Sequence, residues 1–118
     1  MDEPKRKLAE KIKESSQALH IPEETYKKIL LTSLDQTEAD IQEMEEALRE
    51  RNYATIHSSA HRVKGVYANL RLMDISEAAE QMDRTAKEQG AWDTIQEAFR
   101  RLTGEFQGLK DGLKTLEA

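Results

Sequence analysis

The sequence predicts an all-α fold, an up-down antiparallel four-helix bundle with an additional N-terminal helix. Three observations carry that expectation. Apolar residues recur at helical spacing over nearly the whole chain, and the alternation of a half-buried strand is absent. Valine, a residue that favours strands, stands only at Val63 and Val66. The composition is 37% apolar and 35% charged with five Gly and two Pro, the balance of a helical domain rather than a β-sandwich or a disordered tail. At 118 residues the chain is long enough for one core and too short for two.

The first helical segment covers about 3–19. Leu8, Ile12 and Leu19 stand amid dense charge, and Pro4 falls near the first-turn position that proline tolerates. His20-Ile21-Pro22 ends it, because the residue before a proline is pushed out of the α region. Residues 1–21 therefore read as an N-terminal helical extension, packed or free as an arm, and 22–118 as the bundle. From 22 to about 51 the apolar positions are Tyr26, Ile29, Leu30, Leu34, Ile41, Met44 and Leu48. Glu23 and Glu24 sit where the helix dipole favours acids, and 34–37 is a place for a kink or restart with Thr37 as cap. Asn52 is the next N-cap, opening a helix over about 53–70. Asp74 with Glu77 three residues on forms a capping-box pattern for the following helix. Ile75, Ala79, Met82 and Ala86 make its buried stripe, and Gly90 suits a left-handed C-terminal cap.

In the last segment Trp92, Ile95, Phe99, Leu102, Phe106, Leu109, Leu113 and Leu116 are spaced alternately three and four apart, a sustained seam. Gly104, Gly108 and Gly112 recur every fourth residue off that seam. Each costs about 1 kcal/mol relative to alanine in a helix interior. That favours a frayed C-terminal helix over a face for close approach of another helix or subunit. Short connections throughout favour antiparallel neighbours.

Eighteen basic against 23 acidic side chains leave a net charge of −5 with the two signs interspersed. Neither nucleic acid nor a membrane is an expected partner. With no cysteine there is no disulfide, thiolate metal site or Cys nucleophile. Asp2 and Glu3 directly after Met1 argue against a signal peptide, and no apolar run approaches a membrane span. A cytoplasmic domain is the expectation.

The three histidines are worth placing, since a bundle core needs none. His20 lies in the break before Pro22. On a helical wheel at about 100° per residue, Ile56, Ala60, Val63, Tyr67 and Leu70 form the buried sector of the 53–70 helix. Lys64, His57, Ala68 and His61 follow in order beyond one edge, and Gly65 lies farther round. His61 thus points to solvent beside the seam, with Lys64 one turn away. A neutral imidazole with an ordinary pKa of about 6.5 is a good nucleophile near neutrality. Lys64 can offset phosphoryl charge, Arg71 on the same side can add a second cation, and Gly65 leaves room for another protein's active site. His57 by itself reads as surface decoration.

Ala60-His61-Arg62-Val63-Lys64-Gly65, followed by Ala68-Asn69-Leu70, resembles the signature of histidine-containing phosphotransfer domains. That signature is His-x-x-Lys-Gly inside a helix, a small residue before the His, and Asn-Leu near the helix end. The long preceding helix, the Asn52-Tyr53 start and the paired helices after Asp74 match the same layout, over about 22–117. The resemblance implies that His61 is the phosphoacceptor, that Lys64 balances phosphoryl charge and that Gly65 admits the partner, with Ala68, His57 and Arg71 on the docking ground. It implies a phosphorelay intermediate of two-component signalling, fed by a receiver-domain phosphoaspartate and emptied into another receiver. Such a carrier is not an enzyme: it needs no cofactor or metal of its own, since the receiver supplies Mg²⁺. Receiver domains of response regulators and a sensor histidine kinase are the implied partners, and a monomer suffices. Three residues depart from the pattern: Val66 and Tyr67 stand where small residues are usual, and Arg71 stands where Gly is common. They bear on partner specificity and on the turn before Asp74.

Three other readings compete. The phosphotransfer domain of a chemotaxis-type histidine kinase uses the same motif, fed from ATP by a separate kinase domain. A zinc site on His57 and His61, four residues apart, still lacks the further ligands zinc needs. A helical interaction module without phosphotransfer would dock through the 92–116 seam, but a small domain needs that seam for its own core.

Overall fold

The computed structural model describes residues 3–117, with side chains over 7–116. Its helices are α1 (Glu3–Ala18), α2 (Glu23–Glu50), α3 (Tyr53–Asn69), α4 (Met73–Lys87) and α5 (Trp92–Glu117), and no strand occurs among the described residues. The 28 residues of α2 span about 42 Å at a rise of 1.5 Å each, which matches the 40 Å long axis of the molecule.

Consecutive helices lie antiparallel. Tyr26 near the start of α2 donates to the carbonyl of Leu70 just past α3, whereas Glu43 farther along α2 accepts from Ser59 in the first half of α3. Ser76 and Asp83 of α4 meet Lys64 and His61 of α3 in the opposite order, and Gln81 of α4 accepts from Arg101 of α5. The bundle is therefore α2–α5, up and down. Direct packing between α2 and α5 is sparse, helped by a 3.0 Å ion pair from Lys110 to Glu38, and α1 lies against both of them. Tyr26, Leu30, Met44, Ile56, Val63, Tyr67, Met82, Ile95 and Leu102 are fully buried. Each large aliphatic among them contributes about 1.5–3 kcal/mol of transfer free energy.

All four turns close in one way. An amide past each helix bonds five residues back: Ile21 to Ser16 at 3.1 Å, and Asn52 to Ala47, Leu72 to Tyr67 and Gly90 to Thr85, each at 2.9 Å. The residue before that amide is left-handed in every case, with φ of 57° at His20, 54° at Arg51, 62° at Arg71 and 52° at Gln89. This double-bonded helix end usually takes a glycine, and here four side chains tolerate the conformation.

Several local expectations change. The 34–37 stretch holds no break or restart: α2 is continuous, and Thr37 caps nothing but is buried with its hydroxyl on the Ser33 carbonyl at 2.9 Å. Asp74 does not cap α4. The Leu72 amide is committed to Tyr67, so the helix starts at Met73 with Leu72 in the cap position. Asp74 reaches instead across to Lys11 of α1 at 2.7 Å, which lowers its carboxyl pKa below the usual value. The left-handed residue after α4 is Gln89, not Gly90. Glycine is wanted at 90 for closeness, since a Cβ there would sit 3.0 Å from Cγ2 of Thr85. The turn without the usual Gly is accommodated by Arg71 itself.

The C-terminal segment is one helix, α5, running to Glu117. At Gly112 it meets another helix of the same chain. A Cβ there would fall 2.7 Å from Cδ2 of Leu8, so the missing side chain lets α1 settle onto α5. No atom comes within 4 Å of a Cβ built at Gly104 or Gly108. The N-terminal segment packs rather than standing free as an arm, with Leu8 and Ile12 buried. Asn52 does cap α3, accepting from the Thr55 amide at 3.1 Å.

Candidate functional site

One helix, α3, carries the motif, and its three sides have distinct tasks. Ile56, Ala60, Val63 and Tyr67 are buried, as the wheel requires. Ser59 and Arg62 turn toward α2. There Arg62 donates through Nε to Asp40 at 3.1 Å and through Nη2 to Glu43 at 3.3 Å. Asp40 is almost wholly buried on α2, and its hydrogen bond from Arg62 raises the guanidinium pKa further. This pair locks the rotation of α3 against α2, and so sets which way the remaining side points. That side, holding His57, His61 and Lys64, faces α4.

Across from it stands Asp83. Its side chain is 10% exposed, and its two oxygens divide between two imidazoles: Oδ1 meets Nδ1 of His57, and Oδ2 meets Nδ1 of His61 at 3.2 Å. An ionised carboxylate only accepts, so both Nδ1 atoms carry hydrogen. In each neutral ring Nε2 is then the unprotonated nitrogen, with its lone pair free. The His61 side chain is 66% exposed and that of His57 40%. The two ring centroids are 6.1 Å apart.

His57, His61, Lys64, Glu80, Asp83, Arg84 and Lys87 together line one open cavity between α3 and α4. Lys64 enters from the α3 wall, and its carbonyl accepts from Ser76 of α4 at 3.2 Å. Arg84 and Lys87 add two cations from the α4 wall, and neither pairs with a carboxylate among the described residues. The cavity thus gathers an exposed imidazole side chain and three cations against the two acids Glu80 and Asp83, a balance that favours an anionic group.

His61, Lys64 and His57 are brought together as their spacing predicts. His57 is bonded to Asp83 rather than merely decorating the surface. Gly65 is exposed, and nothing lies within 4 Å of where its Cβ would be, so packing does not demand glycine there. Ala68 is half-buried one turn beyond Lys64 and does not line the cavity. Arg71 is past the end of α3 in its left-handed turn, outside the cavity, and supplies no second cation there. That task falls to Arg84 and Lys87. Sequence reasoning missed both, along with Asp83. The available signal was an acid next to Met82 within the buried stripe of α4, followed by Arg84 and Lys87 at positions one and four residues on.

The family model described as the Hpt domain matches residues 28–118, most of the chain. The chain belongs to the Hpt domain family. Hpt domains are phosphocarriers of histidine phosphotransfer in two-component signalling, and they interact with receiver domains. The Hpt match begins inside α2 and leaves α1 outside it. Compared with curated proteins and with solved structures, the chain has no significant match. Among the described residues no helix is long and apolar enough to cross a membrane. Nor, among them, is any group of three His, Cys, Asp or Glu side chains placed to hold a metal ion.

Proposed function

We propose that this Hpt domain is a phosphorelay intermediate whose acceptor atom is Nε2 of His61. The observation that carries the reading is the division of the His61 ring. Its Nδ1 side is held by Asp83, and the rest of the ring, exposed, lines a cavity shared with Lys64, Arg84 and Lys87.

The step balances without any proton transfer. The Nε2 lone pair attacks the phosphorus of a receiver phosphoaspartate in line. The P–N bond forms as the P–O bond to the aspartyl carboxylate breaks, and that carboxylate leaves with the electron pair. Positive charge appears on the imidazole ring, where the Asp83 carboxylate offsets it through the Nδ1–H bond. Lys64, Arg84 and Lys87 offset charge on the phosphoryl oxygens. The receiver supplies Mg²⁺ and the acidic pocket, and Gly65 leaves space for its loops. Passage to a second receiver is the same step reversed. The partners are receiver domains of response regulators and, upstream, a sensor histidine kinase, met in the cytoplasm by a monomeric carrier.

The test is a transfer assay read by intact mass at alkaline pH, because phosphohistidine is acid-labile. Receivers charged by a small phosphodonor are mixed with the wild-type chain, with His61→Gln and with Lys64→Ala. The expected result is one added phosphoryl mass on wild type, none on His61→Gln, and transfer to Lys64→Ala about tenfold slower from the loss of roughly 1.4 kcal/mol of charge-assisted bonding. Uptake by His61→Gln equal to wild type overturns the assignment of His61.

A further inference from the structure

The division of Asp83 between two histidines gives His57 a task that neither the motif nor the family match assigns. The carboxylate is nearly buried, and its hydrogen-bond partners among the described residues are His57 and His61 alone. The terminal torsion of an aspartate is broad, so one bond from His61 leaves the carboxylate free to turn. A second bond at the other oxygen fixes its plane. His57 supplies that bond from one turn earlier on the helix that carries His61, so both donors move as one rigid body.

We propose that His57 is a positioning residue. By holding Oδ1 of Asp83 it keeps Oδ2 on the Nδ1–H of His61, and so keeps His61 in the tautomer whose Nε2 lone pair is open to an incoming phosphoryl group. An imidazole in water prefers the opposite tautomer, with hydrogen on Nε2, which cannot attack through that atom. The consequence for transfer rests on the phosphotransfer reading of His61, whereas the tautomer itself does not. The charged groups facing the pair are Asp83, Glu80, Arg84 and Lys87 from α4 and Lys64 from α3.

The experiment compares wild type with His57→Ala, His57→Asn and Asp83→Asn by long-range proton–nitrogen correlation NMR at about pH 8, where an ordinary imidazole is neutral. Asparagine is the informative replacement, because its amide nitrogen lies about where the His Nδ1 does and can donate to the same oxygen. The expected spectrum has His61 with hydrogen on Nδ1 in wild type and in His57→Asn, and shifted toward Nε2 in His57→Ala and Asp83→Asn. Receiver-driven phosphorylation should slow on the order of threefold to tenfold in His57→Ala, the worth of one hydrogen bond. His57→Asn should restore it, and circular dichroism should show the helices of every variant intact. An unchanged His61 tautomer in His57→Ala overturns the proposal. So does failure of asparagine to rescue the tautomer in a folded protein, or recovery of the phosphoryl group on His57 itself. The NMR comparison needs no phosphoryl donor, so failure of the His61 assignment in the mass assay remains distinguishable from failure here.

Discussion

Thr37 and Tyr67 bring their hydroxyls within 2.7 Å of each other in the buried seam between α2 and α3. The bulk of Tyr67, which departs from the small residue usual at its place in the motif, is accommodated because α2 offers a polar partner there. Ser33 lies at 3.4 Å from the same hydroxyl. Tyr67→Phe should lower stability by about 0.5–1.5 kcal/mol, since Thr37 retains its bond to the Ser33 carbonyl. Burial also raises the phenol pKa of both Tyr67 and Tyr26. A pKa raised by folding gives stability that is complete below the ordinary tyrosine value of about 10 and lost as pH rises through the folded one. Urea melts across that range should show wild type losing stability at alkaline pH, and Tyr67→Phe losing less of it.

Arg62 is the solvent-side partner of a carboxylate that has almost no exposure. Among the described residues, Arg62→Ala leaves Asp40 with only the long 3.3 Å contact from Gln36. A loss of about 1–3 kcal/mol is expected, the penalty for a buried group deprived of its partner. Arg62→Ala combined with Asp40→Leu should recover part of it. Chemical denaturation of the single and double variants reads the coupling.

Gly65 separates access from stability. Alanine there meets no neighbour and improves helix propensity, so Gly65→Ala should gain up to about 1 kcal/mol. Gly65→Trp should remain folded yet raise the receiver concentration needed for half-maximal transfer. Equal KM values for the two variants would show that this side of α3 is not approached by the receiver.

The glycines of α5 are unequal. Gly108→Ala should stabilise by about 1 kcal/mol, because its added methyl enters open space. Gly112→Ala must push Leu8 aside, and its gain should be smaller or absent. Thermal melts of the two variants, measured side by side, decide it.

Lys11 and Asp74 join α1 to the start of α4 through an exposed ion pair. Folding lowers the Asp74 pKa, chiefly through its bond to Lys11. The contribution is therefore present above the ordinary aspartate value of about 3.9 and lost as pH falls through the folded one. Lys11→Ala should cost less than about 1 kcal/mol near neutrality. Its difference from wild type should shrink in melts made at progressively lower pH, as the folded Asp74 takes up its proton.

The fold class was legible because helical periodicity is a local property, and so was the flank of α3, where about 100° per residue suffices to place His57, His61 and Lys64 together. Asp83 was not legible, because its meeting with the imidazoles depends on how α4 is turned against α3. The corners escaped for a similar reason. Gly90 looked like the left-handed residue, yet Gln89 takes that conformation and Gly90 serves closeness to Thr85. Asp74 looked like a cap until the Leu72 amide proved committed to Tyr67. Gly112 was weighed by helix propensity alone, which says nothing of Leu8 arriving from the other end of the chain.

The uniform corners have a consequence for timing. Each connection doubles back within two to four residues of the neighbouring helix, and among the described residues none is long enough to fold over His61. Among these connections, then, no loop supplies an opening or closing step over His61 to limit turnover. Under the proposed phosphotransfer reading, water reaches the exposed ring as a receiver does, so the lifetime of a phosphorylated His61 would rest on the P–N bond and its neighbouring cations, and a docked partner would be what keeps the site dry.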